Sequence, residues 1–326
     1  MKHLLTCLLT TLLAWSASAA SARPYVNDKK APENRKDLET IQTALTQVLA
    51  TARNATVCIE LGQGSGSGVL VSEDGIVLTA SHVSGGVGKD LTVVLEDGRK
   101  FKAVSLGVVA DADAAMVKIT DKEKFPCVEM ERDESTRLGD WVFSLGHSGG
   151  FDKERGSVVR LGRLIGIKES TFQSDCTLIG GDSGGPLFNL QGQLIGIHSR
   201  VGTNLLMNMH VPVSVFLKNW EGLTQSEFIG EGPFVKKPEK GKGLLGLATS
   251  ERPEGGLTVT KVGKDSAAEK ADFKVGDVLL KLNGTDLKTR EQFKGLLKEM
   301  APGDPLEIEA LRAEKPLTFK LKLGVR

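Results

Sequence analysis

Gly180-Gly181-Asp182-Ser183-Gly184-Gly185-Pro186-Leu187 is the stretch on which the reading of this chain turns. A serine stands among glycines, which let the backbone turn sharply. N–H groups around Gly181, Asp182 and Ser183 can therefore face one small volume, where they would hold a developing oxyanion. A serine hydroxyl becomes a nucleophile when a base lies within hydrogen-bond reach and a carboxylate fixes the tautomer of that base. Two upstream segments offer these partners. In Gly64–Val83 (GSGSGVLVSEDGIVLTASHV), His82 follows an apolar strand that ends at Thr79. In Ala112–Ile119 (ADAAMVKI), Asp113 opens an apolar strand, so its carboxylate can sit at a strand mouth beside the imidazole. A lone histidine or aspartate in such a place is more often structural. GDSGGP is far more specific, and the three together point to acyl transfer by Ser183, His82 and Asp113. Asp111 competes with Asp113, but the spacing to Ala115–Ile119 favours Asp113.

Outward from these segments, short apolar runs alternate with glycine-rich turns. Residues 57–61, 69–71, 76–79, 91–95, 103–109, 115–119, 141–145, 158–167, 194–198 and 206–213 read as strands. Many short strands with few helical stretches predict an antiparallel barrel or sandwich over 54–222. Leu38, Ile41, Leu45, Val48 and Leu49 predict an amphipathic helix over about 37–51, within an N-terminal segment 23–53 whose residues 23–36 read as loose. Residues 223–242 carry two prolines and a Lys/Glu cluster without sustained period, and read as a linker. Residues 243–326 form a small α/β module. Strands are expected at 257–262, 278–282, 306–311 and 317–323, with a helix at 289–300 behind the capping box Thr289-x-x-Gln292.

The first 22 residues read as a cleaved export signal: Lys2, an apolar run Leu4–Trp15, and the small-x-small patterns Ala17-Ser18-Ala19 and Ala20-Ser21-Ala22. The apolar run is shorter than the ~20 residues that span a bilayer, so no stable membrane span is expected. The full sequence has 326 residues, 42 Lys+Arg against 41 Asp+Glu, and 38 Gly. That near balance gives no argument for a nucleic-acid partner. Cys7 would leave with the signal. Cys58, Cys127 and Cys176 make neither a disulfide scaffold nor a metal-ligand spacing, so no metal and no other cofactor is expected.

The three segments resemble the chymotrypsin-fold serine proteases, and more closely their HtrA (Deg) branch. Gly-Ser-Gly-Val before the His82 strand, SGGPL after Ser183, Gly192–Ile197 (GQLIGI) and Val211-Pro212 carry the likeness, over about 39–220. It implies a mainly β fold, a double six-stranded barrel with the site in its cleft. Leu244-Leu245-Gly246-Leu247 and Ala271–Gly284 (ADFKVGDVLLKLNG) resemble the PDZ domain placed behind such proteases. That likeness implies a peptide C-terminus held at Leu245, Gly246 and Leu247 along a free strand edge, with Phe293 and Leu296 lining the groove. Leu297 and Met300 are expected in the core.

The resemblance implies an exported serine endopeptidase acting on misfolded or unfolded proteins, assembled as a homotrimer. A regulatory protease with one envelope or membrane partner, or a latent chaperone or adaptor, are the alternatives. The pocket residues it implies are Thr177, Ser199, Arg200 and Val201; with no acidic base, a small or medium aliphatic side chain is expected at the cleaved position. One departure stands out. The branch usually has Asn before the nucleophile, whereas this chain has Asp182, as digestive proteases do. Those enzymes pair that carboxylate with a new N-terminal ammonium. No Ile-Val-Gly-Gly start exists here to supply one, so Asp182 needs another partner.

Overall fold

The alternating run that begins at Thr56 becomes the first strand of a closed barrel in the computed structural model, which describes residues 23–202 and 207–325. Strands β1 (Thr56–Leu61), β2 (Gly64–Leu70), β3 (Ile76–Ala80), β4 (Asp90–Val94), β5 (Lys100–Val109) and β6 (Ala114–Ile119) close in the order β1-β2-β3-β6-β5-β4. Strands β7 (Trp141–Gly146), β8 (Val158–Lys168), β9 (Thr171–Ser174), β10 (Pro186–Asn189), β11 (Leu194–Val201) and β12 (Asn208–Pro212) close in the order β7-β8-β9-β12-β11-β10, which is the same winding. Closure pairs every strand and leaves no open sheet edge in either barrel. One continuous apolar cluster runs through both barrels. It includes Ile59, Leu70, Leu78 and Met116 from the first, and Phe143 and Phe188, stacked at 5.0 Å, from the second. Two of these strands, β9 and β10, were not expected, and the start of the expected strand at Leu206 lies outside the described residues, as does the expected export signal at 1–22.

The N-terminal segment is not loose. Helix α1 (Arg35–Ala55) is longer than its periodicity suggested, because Asn34 caps it by accepting from the Asp37 N–H at 3.1 Å. Ahead of it a 3₁₀ turn at Tyr25–Asp28 buries Val26 and Asn27 against the second barrel, and Asn27 Oδ1 accepts from the Trp141 N–H at 2.8 Å. Arg23 pairs with the buried Asp140. These polar anchors hold a stretch whose composition alone reads as solvated.

Helix α2 (Ser81–Ser84) follows β3 directly, while α3 (Val213–Lys218) and α4 (Trp220–Thr224) follow the second barrel. The expected linker is also structured in part. Strand β13 (Phe228–Ile229) adds to β5 in parallel, and Val235 is buried against Val87, Val108, Ala110 and Ala115. Its apolar residues have no regular period, so their docking was not legible. Cys58, Cys127 and Cys176 are free thiols. Burial pushes the Cys58 and Cys176 thiols up to about 11.

In the C-terminal module β14 (Gly243–Leu244) pairs with the terminal β21 (Gly324–Val325). The main sheet runs β15 (Leu247–Glu251), β16 (Leu257–Val262), β17 (Val278–Leu282), β19 (Pro305–Arg312), β20 (Lys315–Lys322), with β18 (Thr285–Asp286) hairpinned onto β17. β15 is therefore an edge strand. Helix α5 (Ala267–Lys270) is one turn; α6 (Arg290–Lys298) packs beside β15. Thr289 Oγ1 accepts from the Gln292 N–H at 3.2 Å, as expected, and Gln292 reaches back to the Lys288 N–H at 2.9 Å.

Candidate active site

Antiparallel pairing of β3 with β6 sets Ala80 opposite Ala114. The residues just beyond that pair, Ser81-His82 and Asp113, must then meet at the mouth of the first barrel. The Ser81 N–H donates to the Asp113 carbonyl at 3.1 Å. Asp113 sits in the left-handed region, with φ 61°, at the tip of the turn into β6. Its carboxylate is fully buried and faces His82 Nδ1 at 2.9 and 3.0 Å. Ser81 Oγ donates to it at 2.8 Å, the His82 N–H at 3.1 Å and Ser199 Oγ at 2.6 Å. These contacts fix the ring of His82 with Nδ1 on the carboxylate, which turns Nε2 away from it.

Ser183 reaches the same cleft through β2. The Ser67 N–H donates to the Ser183 carbonyl at 2.7 Å, and Ser67 Oγ donates to the Gly181 carbonyl at 2.8 Å. Ser67 Oγ also accepts from the His147 N–H at 2.8 Å. Ser67 thus ties the His82 barrel to the turn that carries Ser183. Among the described residues no hydrogen bond reaches Ser183 Oγ, and the Gly181 and Ser183 N–H groups donate to no protein acceptor. Gly181 has φ 93°, and a Cβ there would lie 2.5 Å from the His147 carbonyl, so only glycine fits. The Gly180 carbonyl is fixed by the Gly149 N–H at 2.7 Å, and a trans peptide turns the following Gly181 N–H to the opposite side. The Asp182 N–H bonds the Ile179 carbonyl at 3.1 Å. Asp182 is therefore removed from the expected set of oxyanion donors.

Several expected residues stand elsewhere. The Asp111 carboxylate accepts from the backbone N–H groups of Glu231 and Gly232 at 3.2 and 2.7 Å, so it anchors the linker and does not meet His82. Ser199 is buried with its hydroxyl on Asp113 and not on an open pocket. The Arg200 guanidinium lies 5.3 Å from the ring centre of Phe234, in the docked linker. Thr177 is half-buried and Val201 is 52% exposed. The roles of Ser67 and Ser199 were missed. Only the Gly-Ser-Gly-Ser-Gly run hinted at the first, and nothing local at the second.

The second barrel carries a buried imidazole pair beneath the Ser183 turn. His198 Nδ1 and His210 Nδ1 are 2.9 Å apart, His198 Nε2 lies 3.1 Å from the Leu145 carbonyl, and His210 Nε2 lies 2.7 Å from Ser174 Oγ. One proton arrangement satisfies all of these with both rings neutral. Ser174 donates to His210, His210 to His198, and His198 to Leu145. Desolvation pushes His198 down to about 3 and His210 well below the usual imidazole value.

In the C-terminal module, the carbonyls of Leu245 and Gly246 are taken by the Ala268 and Gly263 N–H groups at 2.9 and 2.8 Å. Leu247 starts the free edge of β15. A groove of about 800 Å³ separates β15 from α6, between Ser250 and Glu251 on one wall and Arg290, Lys294 and Lys298 on the other. Leu245 and Phe293 are buried in the module core at 3% and 4% exposure, and Leu296 packs on that core with Leu297 and Met300. Phe293 and Leu296 do not line the groove. Spacing groups them with Leu297 and Met300 on one helical face, and that face covers the sheet.

Residues 66–197 match the trypsin-like peptidase domain family and residues 243–323 the PDZ domain family. Among curated proteins, a probable periplasmic serine endoprotease DegP-like of Rhizobium meliloti is 31% identical over 277 residues, covering 80% of this chain and 53% of that protein. One of the same description from Ectopseudomonas mendocina is 31% identical over 271 residues, 80% of this chain and 56% of that one. The chain spans about half the length of these relatives. The solved HtrA-type protease AlgW with tripeptide has the same fold, with TM-score 0.50 and 22% identity over 88% of this chain and 97% of that chain. The chain therefore carries a trypsin-like peptidase domain followed by a PDZ domain, and its homologues are DegP-like serine endoproteases.

Proposed function

We propose that this protein is a serine endopeptidase in which Ser183 Oγ attacks the scissile carbonyl. His82 Nε2 takes the hydroxyl proton as the C–O bond forms, and Asp113 stabilises the resulting imidazolium. The Gly181 and Ser183 N–H groups hold the oxyanion. His82 then returns the proton to the leaving amine, and water repeats the cycle on the acyl-enzyme. The observation that carries this reading is the pairing of a buried, four-donor Asp113 with His82 beside a glycine turn in which the Gly181 and Ser183 N–H groups have no protein acceptor among the described residues. The half-buried, uncharged Thr177 supports a small or medium aliphatic residue at the cleaved position.

The substrates on this reading are unfolded or misfolded proteins, and the free edge of β15 takes a peptide C-terminus or extended segment by strand addition. Export to the periplasm fits both the N-terminal signal pattern and the description of the relatives as probable periplasmic endoproteases. A homotrimer built through the N-terminal segment is consistent with the exposure of Tyr25 (42%) and Leu38 (58%) there. Casein degradation by the mature chain, with and without a hydrophobic C-terminal peptide, tests the proposal. It predicts degradation that Ser183→Ala abolishes. Degradation that survives Ser183→Ala, or none under either condition, would contradict it.

A further inference from the structure

Asp182, next to the nucleophile, is fully buried, and the second barrel supplies the partner it needs. Arg160 Nη1, from β8, stands 3.1 Å from its Oδ2. Ser148 Oγ donates to Oδ1 at 2.5 Å and accepts from Arg160 Nη2 at 3.0 Å, so it bridges the two charges. The Ile179 N–H donates to Oδ2 at 2.9 Å, while the Asp182 N–H bonds back to the Ile179 carbonyl. The carboxylate thereby winds the turn 179–182 onto itself. Gly146, at the end of β7, is so close that a Cβ there would lie 2.6 Å from Oδ1, so the chamber has no spare room. Arg155, which binds the Ser148 carbonyl at 2.6 Å, is a further charge near this cluster; burial pushes the neighbouring His147 toward its neutral form, and Glu96 lies 3.8 Å from its Nε2. A carboxylate taken this far from water is costly without a counter-charge, and the turn it would distort is the one that presents Gly181 and Ser183.

We propose that Arg160 is a resident cation that holds Asp182 and so keeps the Gly181–Ser183 turn in its oxyanion-binding form. No new chain terminus is then required, and the domain folds directly into the competent state. Arg160 touches no substrate; it is a positioning residue. The inference rests on the endopeptidase reading for its catalytic consequence, and on the geometry alone for the ordering of the turn.

The test uses the mature chain with Arg160→Met, Asp182→Asn and the double variant. Two quantities are read, both on protein shown to be folded: hydrogen exchange in the peptide covering Ile179–Gly185, and the rate of Ser183 acylation by a fluorophosphonate. Arg160→Met should raise exchange there and slow acylation about a hundredfold, the scale of losing one oxyanion donor. Adding Asp182→Asn removes the stranded charge, so the double variant should recover at least tenfold in rate. A packing role for Arg160 would show no such rescue. If Arg160→Met does not fold, Arg160→Gln carries the same comparison. Unchanged exchange in the single variant, or no rescue in the double, overturns the proposal. A wild-type chain that is never acylated would defeat the endopeptidase reading instead, and exchange would still decide the role of Arg160.

Discussion

Acid should destabilise the peptidase domain through the His198–His210 pair. An unfolded imidazole titrates near 6.5, whereas burial lowers His198 to about 3. Between these values the unfolded state binds the more protons, so stability rises with pH in that window and falls as pH drops through it. Each pH unit is worth 1.36 kcal/mol for a single group. Acidifying from above 6.5 to 4.5 should therefore remove about 3 kcal/mol through His198 alone. His210 acts with the same sign, because a second proton would set two N–H groups against each other across 2.9 Å. The assay is urea unfolding followed by tryptophan fluorescence. Both tryptophans after residue 22, Trp141 and Trp220, lie in the peptidase half, so the fluorescence reports on that half only. With an m value of about 2 kcal/mol/M, the midpoint should fall by more than ~1 M between pH 7.5 and 4.5. In His198→Gln the fall should shrink by that amount. Parallel pH curves for the wild type and His198→Gln would refute the argument.

Other perturbations have defined outcomes. Gly181→Ala forces a Cβ into contact with the His147 carbonyl, and should lower kcat by roughly 10²–10³ on a casein-derived peptide. Asp113→Asn should lower kcat by roughly 10⁴ by fixing the wrong imidazole tautomer. Asp111→Asn, which loosens only the linker anchor, should cost less than about tenfold. Phe293→Ala should destabilise the PDZ domain by about 3–5 kcal/mol in calorimetry, as loss of a core aromatic does, because Phe293 is buried among Leu279, Leu306 and Phe319.

The strands with clean alternation were legible because each rests on local pattern, whereas the pattern alone left barrel or sandwich open and the double barrel was implied only by the resemblance that the GDSGGP motif carries. β9 was not legible, since Thr171–Ser174 holds one apolar residue. β10 was not, since Pro186–Asn189 runs straight out of the nucleophile motif. Ser67, Ser199 and Arg160 act across long sequence separations, and a hydroxyl or guanidinium carries no local sign of what it will meet. Helical spacing grouped Phe293 with Leu296, Leu297 and Met300, yet spacing cannot say which face meets the sheet and which meets a peptide. For Asp182 the sequence posed the question of a missing counter-charge, and only the fold brings Arg160 within reach of it.

The central claim is that Ser183 is a nucleophile driven by His82. The measurement that meets it most directly is mass spectrometry of the mature chain after reaction with a fluorophosphonate, beside His82→Ala. The account predicts one adduct, on Ser183, whose formation slows by roughly 10³ or more without the imidazole. An adduct elsewhere, or one on Ser183 that forms equally fast in His82→Ala, would contradict it.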